Sequence, residues 1–469
     1  MSAAHSVHQT SHSRLPELGA GRRKKSFFAR LIYGGFAACM LATALAAYNI
    51  GPIPIQWIGQ SGFLVLGLVV LSTGRRVRGT GWLLAYIAWS AILTIGTASV
   101  SDYERLMPPL ATTPYPVFVA LRFLEILSFA GAVHVVYWLL SQGREPAVSR
   151  YLVGLGFVVS VAAAYIYLAQ VLGLPEPPRN RMGTGGGEQV TVFSYAFHRA
   201  MGTFREPSHL AQWLIVPLFL SIRGIRKSSF KLSAATMASI LLLTGSLTGI
   251  LSALLGIALA VVLVGPVRKS TIKLIVTASL GVLCGLAVFD MVAVRYAGES
   301  KGLVDVILSR VTPIISGGGL TETNRGYVYE YVGDQPPSLL GQGVGHANLE
   351  FTQYLGWPII SSFLNLYLNV LYSTGILGLG FIALFLLIPI LRARTSRAFR
   401  QRSDAPVLLG QYCAWLIVFA VHSEVLTPMF AIAYAMLVHS YVSQTRGSGQ
   451  PMGRALIATG RSPFAVTGG

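Results

Sequence analysis

Long apolar stretches recur along the chain from Ala29 to Tyr441, and short polar segments separate them. Many of these stretches are close to the ~20 residues that a helix needs to cross the hydrocarbon core of a bilayer. The pattern therefore predicts an all-α polytopic membrane protein with about twelve transmembrane helices. The predicted spans cover residues 30–49, 53–73, 80–99, 115–140, 151–173, 206–222, 232–247, 248–265, 272–292, 361–390, 406–421 and 424–442.

The composition points to the same class of protein. Only 11% of the residues are charged and 53% are hydrophobic, whereas a soluble domain has about a quarter of its residues charged. Cys39, Cys284 and Cys413 all fall inside apolar stretches, so neither a disulfide framework nor a metal cluster is indicated. We therefore expect no metal and no cofactor.

The formal net charge of +19 follows the predicted topology. With the amino terminus in the cytoplasm, most Lys and Arg residues fall in cytoplasmic segments, and most Asp and Glu residues fall on the outer side. Cytoplasmic loops of membrane proteins collect Lys and Arg. The basic balance is therefore a topology signal, and we expect cytoplasmic termini and no nucleic-acid partner.

The spans divide the chain into membrane segments and polar segments. Residues 30–292 carry nine spans and an outer loop at 174–205, and residues 361–442 carry the last three spans. A large outer loop at 293–360 lies between them, with helical patterning around 302–315 and 324–332. The cytoplasmic tails comprise residues 1–29 and 443–469.

Polar residues stand directly in front of the apolar stretch 206–222. Arg205 and Glu206 precede Pro207, and Pro is favourable in the first turn of a helix. A helix amino terminus beside an arginine is a ready anion site, and the guanidinium matches a phosphate bidentately. The alternative is that Arg205 contacts lipid headgroups and Glu206 is simply a carboxylate at a helix end.

Other outer arginines are candidates for the same role, because outer arginines run against the charge bias of the chain. Arg181 and Arg199 lie in the loop before Arg205, and Arg325 begins a predicted short helix that Asn324 could cap. Tyr329, one turn after Arg325, would add an aromatic ring. The alternatives are pairing of the arginines with nearby acids, and packing of the tyrosines on the membrane face.

Histidines and a buried charge pair complete the candidate chemistry. His209 lies in the first turn after Pro207, and His346 follows the glycine-rich run 341–345. That run follows no predicted strand, which excludes a dinucleotide fingerprint, and a lone histidine is more often structural than catalytic. Glu125 lies within the fourth span, one turn after Arg122, and we expect the two to neutralise each other.

Three short motifs resemble the O-antigen ligase and polysaccharide polymerase (Wzy-type) superfamily. They are FREPSHLA at 204–211, then NRGYVYEY at 324–331 followed by LLGQGVGHAN at 339–348, and Asn365-x9-Gly375-Ile-Leu-Gly378. One position departs from the ligase pattern: Leu364 stands where ligases carry a histidine. The resemblance therefore favours a polymerase over a ligase.

This resemblance implies a GT-C-like protein of the bacterial inner membrane. Its reaction would be a metal-independent, inverting glycosyl transfer at the periplasmic face, joining repeat units linked to undecaprenyl pyrophosphate. Partners would be membrane lipid and, in the same pathway, a chain-length regulator and a flippase. The alternatives are an O-antigen ligase-type transferase and a flippase or transporter, which would carry ionisable residues at mid-membrane.

The resemblance also implies roles for individual residues. Arg205 and Arg325 would hold the pyrophosphate, with Arg199 or Arg181 in support. Tyr329 and Asn365 would contact the glycan. Glu206 is the first candidate for the base that activates the acceptor hydroxyl, and His346 or His209 is the second.

Overall fold

A computed structural model describes residues 17–447 apart from several gaps. The gaps are residues 75–76, 100, 102, 112, 173, 182–198, 225–226, 265–283, 285–311, 313–325 and 422–424. The ninth predicted span (272–292), the helical patterning at 302–315, Asn324 and Arg325 therefore lie outside the described residues, except for Cys284 and Thr312.

Helices account for nearly all of the regular structure in the described residues. They are α1 (Glu17–Thr43), α2 (Ile55–Leu71), α3 (Thr80–Ala98), α4 (Tyr103–Leu106), α5 (Tyr115–Ser141), α6 (Glu145–Leu172), α7 (Pro207–Arg223), α8 (Ser228–Leu243), α9 (Leu247–Val264), α10 (Gly326–Asp334), α11 (His346–Leu355), α12 (Leu366–Thr395), α13 (Arg397–Arg400), α14 (Ala405–Val421) and α15 (Pro428–Gly447). Two short antiparallel strands, β1 (Asn49–Ile50) and β2 (Ile53–Pro54), are the exception to the all-α prediction.

Five of the described helices are long and apolar enough to cross a membrane, namely α3, α5, α6, α9 and α12. Shorter apolar helices accompany them in α1, α2, α8, α14 and α15. The chain is thus a mostly helical, membrane-embedded protein. α7, which coincides with the predicted span 206–222, belongs to neither group of apolar helices.

The bundle buries α7 at its centre. Every residue from Leu210 to Ser221 is buried, and α7 packs against α6, α8, α9, α14 and α15. A helix that is buried on all sides meets protein and not lipid, so it does not need the hydropathy of a lipid-facing span. This is consistent with the absence of α7 from both groups of apolar helices.

Small residues let other helices of the bundle pack closely against each other. Gly67 of α2 lies against Gly131 of α5, and Gly256 of α9 lies against Gly410 of α14, with no room for a β-carbon at either contact. Close approach of backbones through small residues is a usual way for membrane helices to associate.

Backbone hydrogen bonds identify the end of the bundle that carries the polar segments. At this end the Ala47 N–H donates to the Thr203 carbonyl at 2.9 Å, which joins the connection after α1 to the segment before α7. The Val344 N–H donates to the Thr94 hydroxyl near the end of α3 at 2.9 Å, which places the segment before α11 at the same end. We call this the site end.

Ion pairs tie the helices together at the opposite end. The Arg223 guanidinium, in the last turn of α7, contacts Glu145 of α6 at 2.5 Å and Asp404 at 2.6 Å. Arg402 contacts the same Asp404 at 2.8 Å. These pairs hold the carboxyl end of α7 to both α6 and the segment that precedes α14.

α12 is broken at Gly375, whose φ of 67° and ψ of −169° are not helical. The segment 339–343 runs along the break. The Gln342 N–H donates to the Tyr372 carbonyl at 2.9 Å, and the Ile376 N–H donates to the Leu339 carbonyl at 3.1 Å. Non-helical backbone at membrane depth needs such partners, and the glycine-rich segment supplies them.

α10 and α11 form a layer over the site end. The buried side chains of Tyr331, Phe351, Phe363 and Tyr372 pack together there and join α10 and α11 to α12. α10 matches the helix predicted at 324–332 to within two residues, whereas α11 is not predicted by the apolar pattern because its sequence, HANLEFTQYL, is half polar.

Candidate functional site

The first group of polar side chains lies where α7 begins. The helix starts at Pro207 as predicted, and Glu206 occupies the N-cap position with an extended backbone. The Glu206 carboxylate accepts a hydrogen bond from the Ser208 hydroxyl at 3.1 Å and does not cap a backbone N–H. We call Arg181, Arg205, Glu206 and His209 the arginine cluster.

The loop 174–181 brings Arg181 to this cluster by binding the connection after α1. Asn180 and Asn49 exchange two hydrogen bonds of 2.7 and 2.9 Å, and the Arg181 side chain donates to the Ala46 carbonyl at 2.8 Å. Because the same connection also binds Thr203, Arg181 and Arg205 come together although 24 residues separate them in sequence.

The two arginines act on each other electrostatically. Burial, and then the charge of Arg205, lowers the pKa of Arg181 to about 10, so that Arg181 remains a cation at neutral pH. His209 lies within electrostatic reach of Arg181, Arg205 and Glu206. The side chains of Arg205 and His209 are exposed. Two neighbouring cations, one of them exposed, form a site that attracts an anion.

A third arginine, which the sequence analysis did not single out, lies in the same loop as Arg181. The Arg179 side chain is 0% exposed and contacts Glu176 at 3.1 Å through Nη2. Its Nε and Nη1 atoms have no hydrogen-bond partner among the residues that the structure describes. A buried guanidinium usually has all its donors paired.

Arg199 binds backbone carbonyls elsewhere at the site end. Its Nε donates to the Thr244 carbonyl at 2.8 Å, and its Nη2 contacts the Gly245 carbonyl at 3.4 Å. These are carbonyls at the carboxyl end of α8, where a cation is favourable. Arg199 therefore holds the turn between α8 and α9, and its contact with the pyrophosphate stays a prediction.

The second group comprises His346 and Glu350 of α11 and Gln342 of the segment before it, and we call it the carboxylate cluster. His346 Nε2 lies 2.9 Å from Oε1 of Glu350, and Gln342 Nε2 donates to Oε2. Gly345, with φ of 84°, turns the chain into the helix so that His346 is its first residue. Positions four apart share one face of a helix.

Glu350 is the functional candidate that the sequence analysis missed. The signal was the four-residue spacing of His346 and Glu350 in H-A-N-L-E, which carries meaning only once this segment is known to be helical.

Tyr329 and Asn365 are placed differently from each other. The Tyr329 side chain is exposed on α10, whereas Tyr327 and Tyr331 pack into the layer over the site end. The Asn365 side chain caps α12, because Oδ1 accepts from the Leu368 N–H at 3.1 Å and Nδ2 donates to the Ala420 carbonyl at 2.7 Å. Asn365 therefore fixes where α12 begins, five residues later than the predicted span.

A small cavity lies beside Val344 and Gly345, the two residues that lead into α11. Arg122 and Glu125 line it and approach each other to 3.5 Å, as expected, and Asn348, Asn369 and Ser373 contribute further polar groups. Its volume of about 30 Å³ holds one or two water molecules and no sugar.

Among the residues that the structure describes, no group of three or more His, Cys, Asp or Glu side chains is arranged to hold a metal ion. The arginine cluster and the carboxylate cluster together hold two arginines, two glutamates, two histidines and one glutamine.

Comparison of the chain with protein-family models and with curated proteins gives no match. The function is therefore inferred from the residues of the arginine cluster and the carboxylate cluster.

Proposed function

We propose that the protein is a membrane glycosyltransferase, a polysaccharide polymerase that joins repeat units linked to undecaprenyl pyrophosphate. The observation that carries the proposal is the pairing of Arg181 and Arg205 at the amino terminus of α7. The motif resemblance to the polymerase superfamily supports the same reading, and Leu364 in place of the ligase histidine favours a polymerase over a ligase.

The arginine cluster suits a pyrophosphate in its charge. Two guanidinium groups supply several N–H donors, and charge-assisted bonds to phosphate oxygens are among the strong hydrogen bonds in proteins. The amino terminus of α7 adds its own positive end to the site. A bound anion would also relieve the repulsion between the two arginines, which gives the cluster a preference for a charged ligand.

The position of the cluster suits a lipid-linked substrate. It lies at one end of a membrane-embedded bundle, at the start of the central helix. A polyprenyl chain can remain in the bilayer while its pyrophosphate reaches this end, and the glycan extends into the aqueous phase. A water-soluble sugar nucleotide would not require a site at the end of a membrane-embedded bundle.

The proposed reaction transfers the growing glycan from its lipid carrier to an incoming repeat unit. The anomeric carbon forms a bond to a hydroxyl oxygen of the acceptor sugar, and its bond to the pyrophosphate oxygen breaks. The leaving pyrophosphate takes the electron pair, and its growing negative charge is stabilised by Arg181 and Arg205. A base must take the proton of the hydroxyl, and the proposal requires no metal.

The experiment is the size distribution of lipid-linked glycans in membranes from a strain that lacks the gene. Single repeat units should accumulate in the deletion strain, and the wild-type gene should restore extended glycans. Arg205→Ala should not restore them at an equal protein level. Arg105→Ala, which removes another exposed arginine at the site end, is the matched control and should restore them.

Other outcomes identify the competing functions. Full-length glycan that stays on the lipid carrier would indicate a ligase. Repeat units that accumulate on the cytoplasmic face would indicate a flippase, and the proposal would then be wrong.

A further inference from the structure

The carboxylate cluster suggests which residue activates the acceptor, a question that rests on the proposed glycosyl transfer. In an inverting displacement the base and the leaving group lie on opposite sides of the anomeric carbon. Glu206 is poorly placed for this role, because it belongs to the arginine cluster where the leaving pyrophosphate would bind. Its carboxylate would repel the leaving group.

Glu350 has the accessibility that a base requires. Its side chain is 35% exposed, whereas the His346 side chain is only 7% exposed. Both Glu350 oxygens are held from the protein side, by His346 Nε2 and Gln342 Nε2. A carboxylate oxygen accepts more than one hydrogen bond, so each oxygen keeps a lone pair for a ligand.

The hydrogen bonds of the cluster determine the state of His346. His346 Nδ1 is buried and has no hydrogen-bond partner among the described residues. Because a carboxylate can only accept a hydrogen bond, the proton in this contact lies on Nε2, which donates it to Glu350. This is the arrangement of a base held by an orienting group.

Gln342 is oriented by the same reasoning. Only the amide NH₂ can donate to a carboxylate, so the Gln342 oxygen points away from Glu350, and that oxygen is buried without a hydrogen-bond partner in the described part of the chain. A purely structural contact would rarely leave both Gln342 Oε1 and His346 Nδ1 unpaired.

Aromatic side chains surround the carboxylate cluster. Tyr103 meets the His346 ring edge-on at 5.8 Å, and Tyr103 stacks on Tyr115. Tyr331 of α10 faces Glu350. Burial, and then the charges of Glu350 and Tyr372, raises the pKa of Tyr331, so that it remains a neutral phenol. His346 and Tyr331 thus both interact with Glu350.

We infer that Glu350 takes the proton from the attacking hydroxyl of the acceptor sugar, and that His346 and Gln342 position its carboxylate. As the hydroxyl oxygen bonds to the anomeric carbon, its proton passes to Glu350, and the electron pair of the broken bond leaves with the pyrophosphate. Glu350 then loses the proton to water, and no further reactant is required. Glu350 acts as the catalytic residue, and His346 and Gln342 are positioning residues.

The test uses the full-length protein in phosphatidylethanolamine–phosphatidylglycerol vesicles. The substrate is the lipid-linked repeat unit extracted from the deletion strain, and the initial rate of extension is measured between pH 5 and pH 9. Binding of radiolabelled undecaprenyl pyrophosphate to the same vesicles is measured in parallel. Thermal unfolding of each purified variant in detergent checks that it is folded.

Glu350→Gln should reduce kcat by about 10²- to 10⁴-fold, the usual contribution of a general base. It should also change how the rate of extension depends on pH. Binding of undecaprenyl pyrophosphate should stay within twofold of wild type, because the arginine cluster is intact. Glu330→Gln, which changes an exposed carboxylate on α10, is the matched control and should keep wild-type rates.

His346→Gln separates positioning from catalysis. A glutamine amide can still donate to Glu350, so a positioning role predicts a loss much smaller than that of Glu350→Gln. An equally severe loss in His346→Gln, with its pH profile changed in the same way, would overturn the assignment and make His346 the base.

The two proposals fail differently. A folded Glu350→Gln variant that extends the substrate at the wild-type rate overturns this inference and leaves the proposed function standing. A wild-type protein that neither extends the substrate nor binds undecaprenyl pyrophosphate overturns the proposed function and this inference with it.

Discussion

Gly341 and Gly375 meet backbone to backbone at the break in α12. A β-carbon on Gly341 would lie 2.5 Å from the backbone nitrogen of Gly375, and a β-carbon on Gly375 would collide with the Leu339 carbonyl. The glycine-rich segment before α11 and the broken helix are therefore one unit of structure. The carboxylate cluster is built directly on that unit, because Gln342 belongs to the segment and His346 follows it.

Gly375→Ala should destabilise the protein strongly. The φ of 67° with ψ of −169° is open to glycine almost alone, and the added methyl group has no space. We expect the free energy of unfolding to fall by at least about 2 kcal/mol, with a clear fall in Tm in detergent. Gly380→Ala, in the same helix and with nothing within 4 Å of the new β-carbon, is the control and should leave Tm unchanged or slightly higher. An equal effect of both substitutions would contradict the close packing described here.

Binding of undecaprenyl pyrophosphate should depend on both arginines of the arginine cluster. Removing either Arg181 or Arg205 by substitution with Ala should weaken binding by about 10- to 100-fold, the value of one or two charge-assisted hydrogen bonds. Arg205→Lys should fall between Ala and wild type, since a lysine keeps the charge and loses the bidentate geometry. Equilibrium binding to vesicles measures this, and Arg105→Ala should bind as wild type does. Unchanged binding in Arg205→Ala would remove the pyrophosphate from this site.

Asn365 provides a test between a structural role and a substrate contact. Asn365→Ala removes the cap of α12 and the hydrogen bond to the Ala420 carbonyl. We expect the free energy of unfolding to fall by about 2 kcal/mol, with both lost hydrogen bonds contributing. Asn365→Asp keeps the cap oxygen and should lose less. A thermal unfolding series with parallel extension assays measures both effects. Wild-type stability combined with lost transfer would instead support the glycan contact implied by the family resemblance.

The ion pairs at the opposite end should contribute to stability and not to chemistry. Arg223→Met leaves Glu145 and Asp404 without this partner. We expect the free energy of unfolding to fall by roughly 2 kcal/mol, a value between those typical of exposed and of buried ion pairs. Arg394→Met, an exposed arginine at the same end, should have little effect. Equal falls in Tm for the two variants would show that the pairs contribute nothing.

The same ion pairs should give the stability a defined pH dependence. Burial alone would raise the pKa of Asp404, but hydrogen bonds from Arg402 and the charge of Arg223 outweigh it and hold the pKa below its ordinary value of 3.8. A lowered folded-state pKa stabilises the protein above the ordinary value, and this contribution is lost as the pH falls through the lowered value. The Tm difference between wild type and Asp404→Asn should therefore be constant from pH 5 to pH 8 and shrink below about pH 4. A difference that already shrinks between pH 7 and pH 5 would contradict this assignment.

The apolar pattern predicts most of the bundle because each apolar stretch ends at polar residues or turn glycines. α3 and α5 begin where predicted, at Thr80 and Tyr115. The pattern cannot reveal that α7 is surrounded by protein, since a run of apolar residues is compatible with either lipid or a protein core. It also misses α11, whose helical form depends on packing of Ala347 and Phe351 against side chains distant in sequence.

The candidate site was predicted in part for similar reasons. The helix start at Pro207 could be predicted because a proline in the first turn marks a helix start in the local sequence. The approach of Arg181 to Arg205 depends on backbone pairing with the connection after α1, which no local pattern encodes. The hydrogen bonds of Arg199 and Asn365 could not be predicted either, because each side chain binds a backbone carbonyl that lies far away in the sequence.

The burial of α7 has a consequence for how its sequence can vary. Lipid-facing positions, such as the exposed Leu68 of α2, need only be apolar, and many residues of different shape satisfy that requirement. Positions 210–221 of α7 have neighbours on every side, so volume and shape limit them more than hydropathy does. In a saturation mutagenesis screen, α2 should accept large apolar exchanges on its outer face. α7 should reject them and still accept small polar residues, as Ser221 already shows.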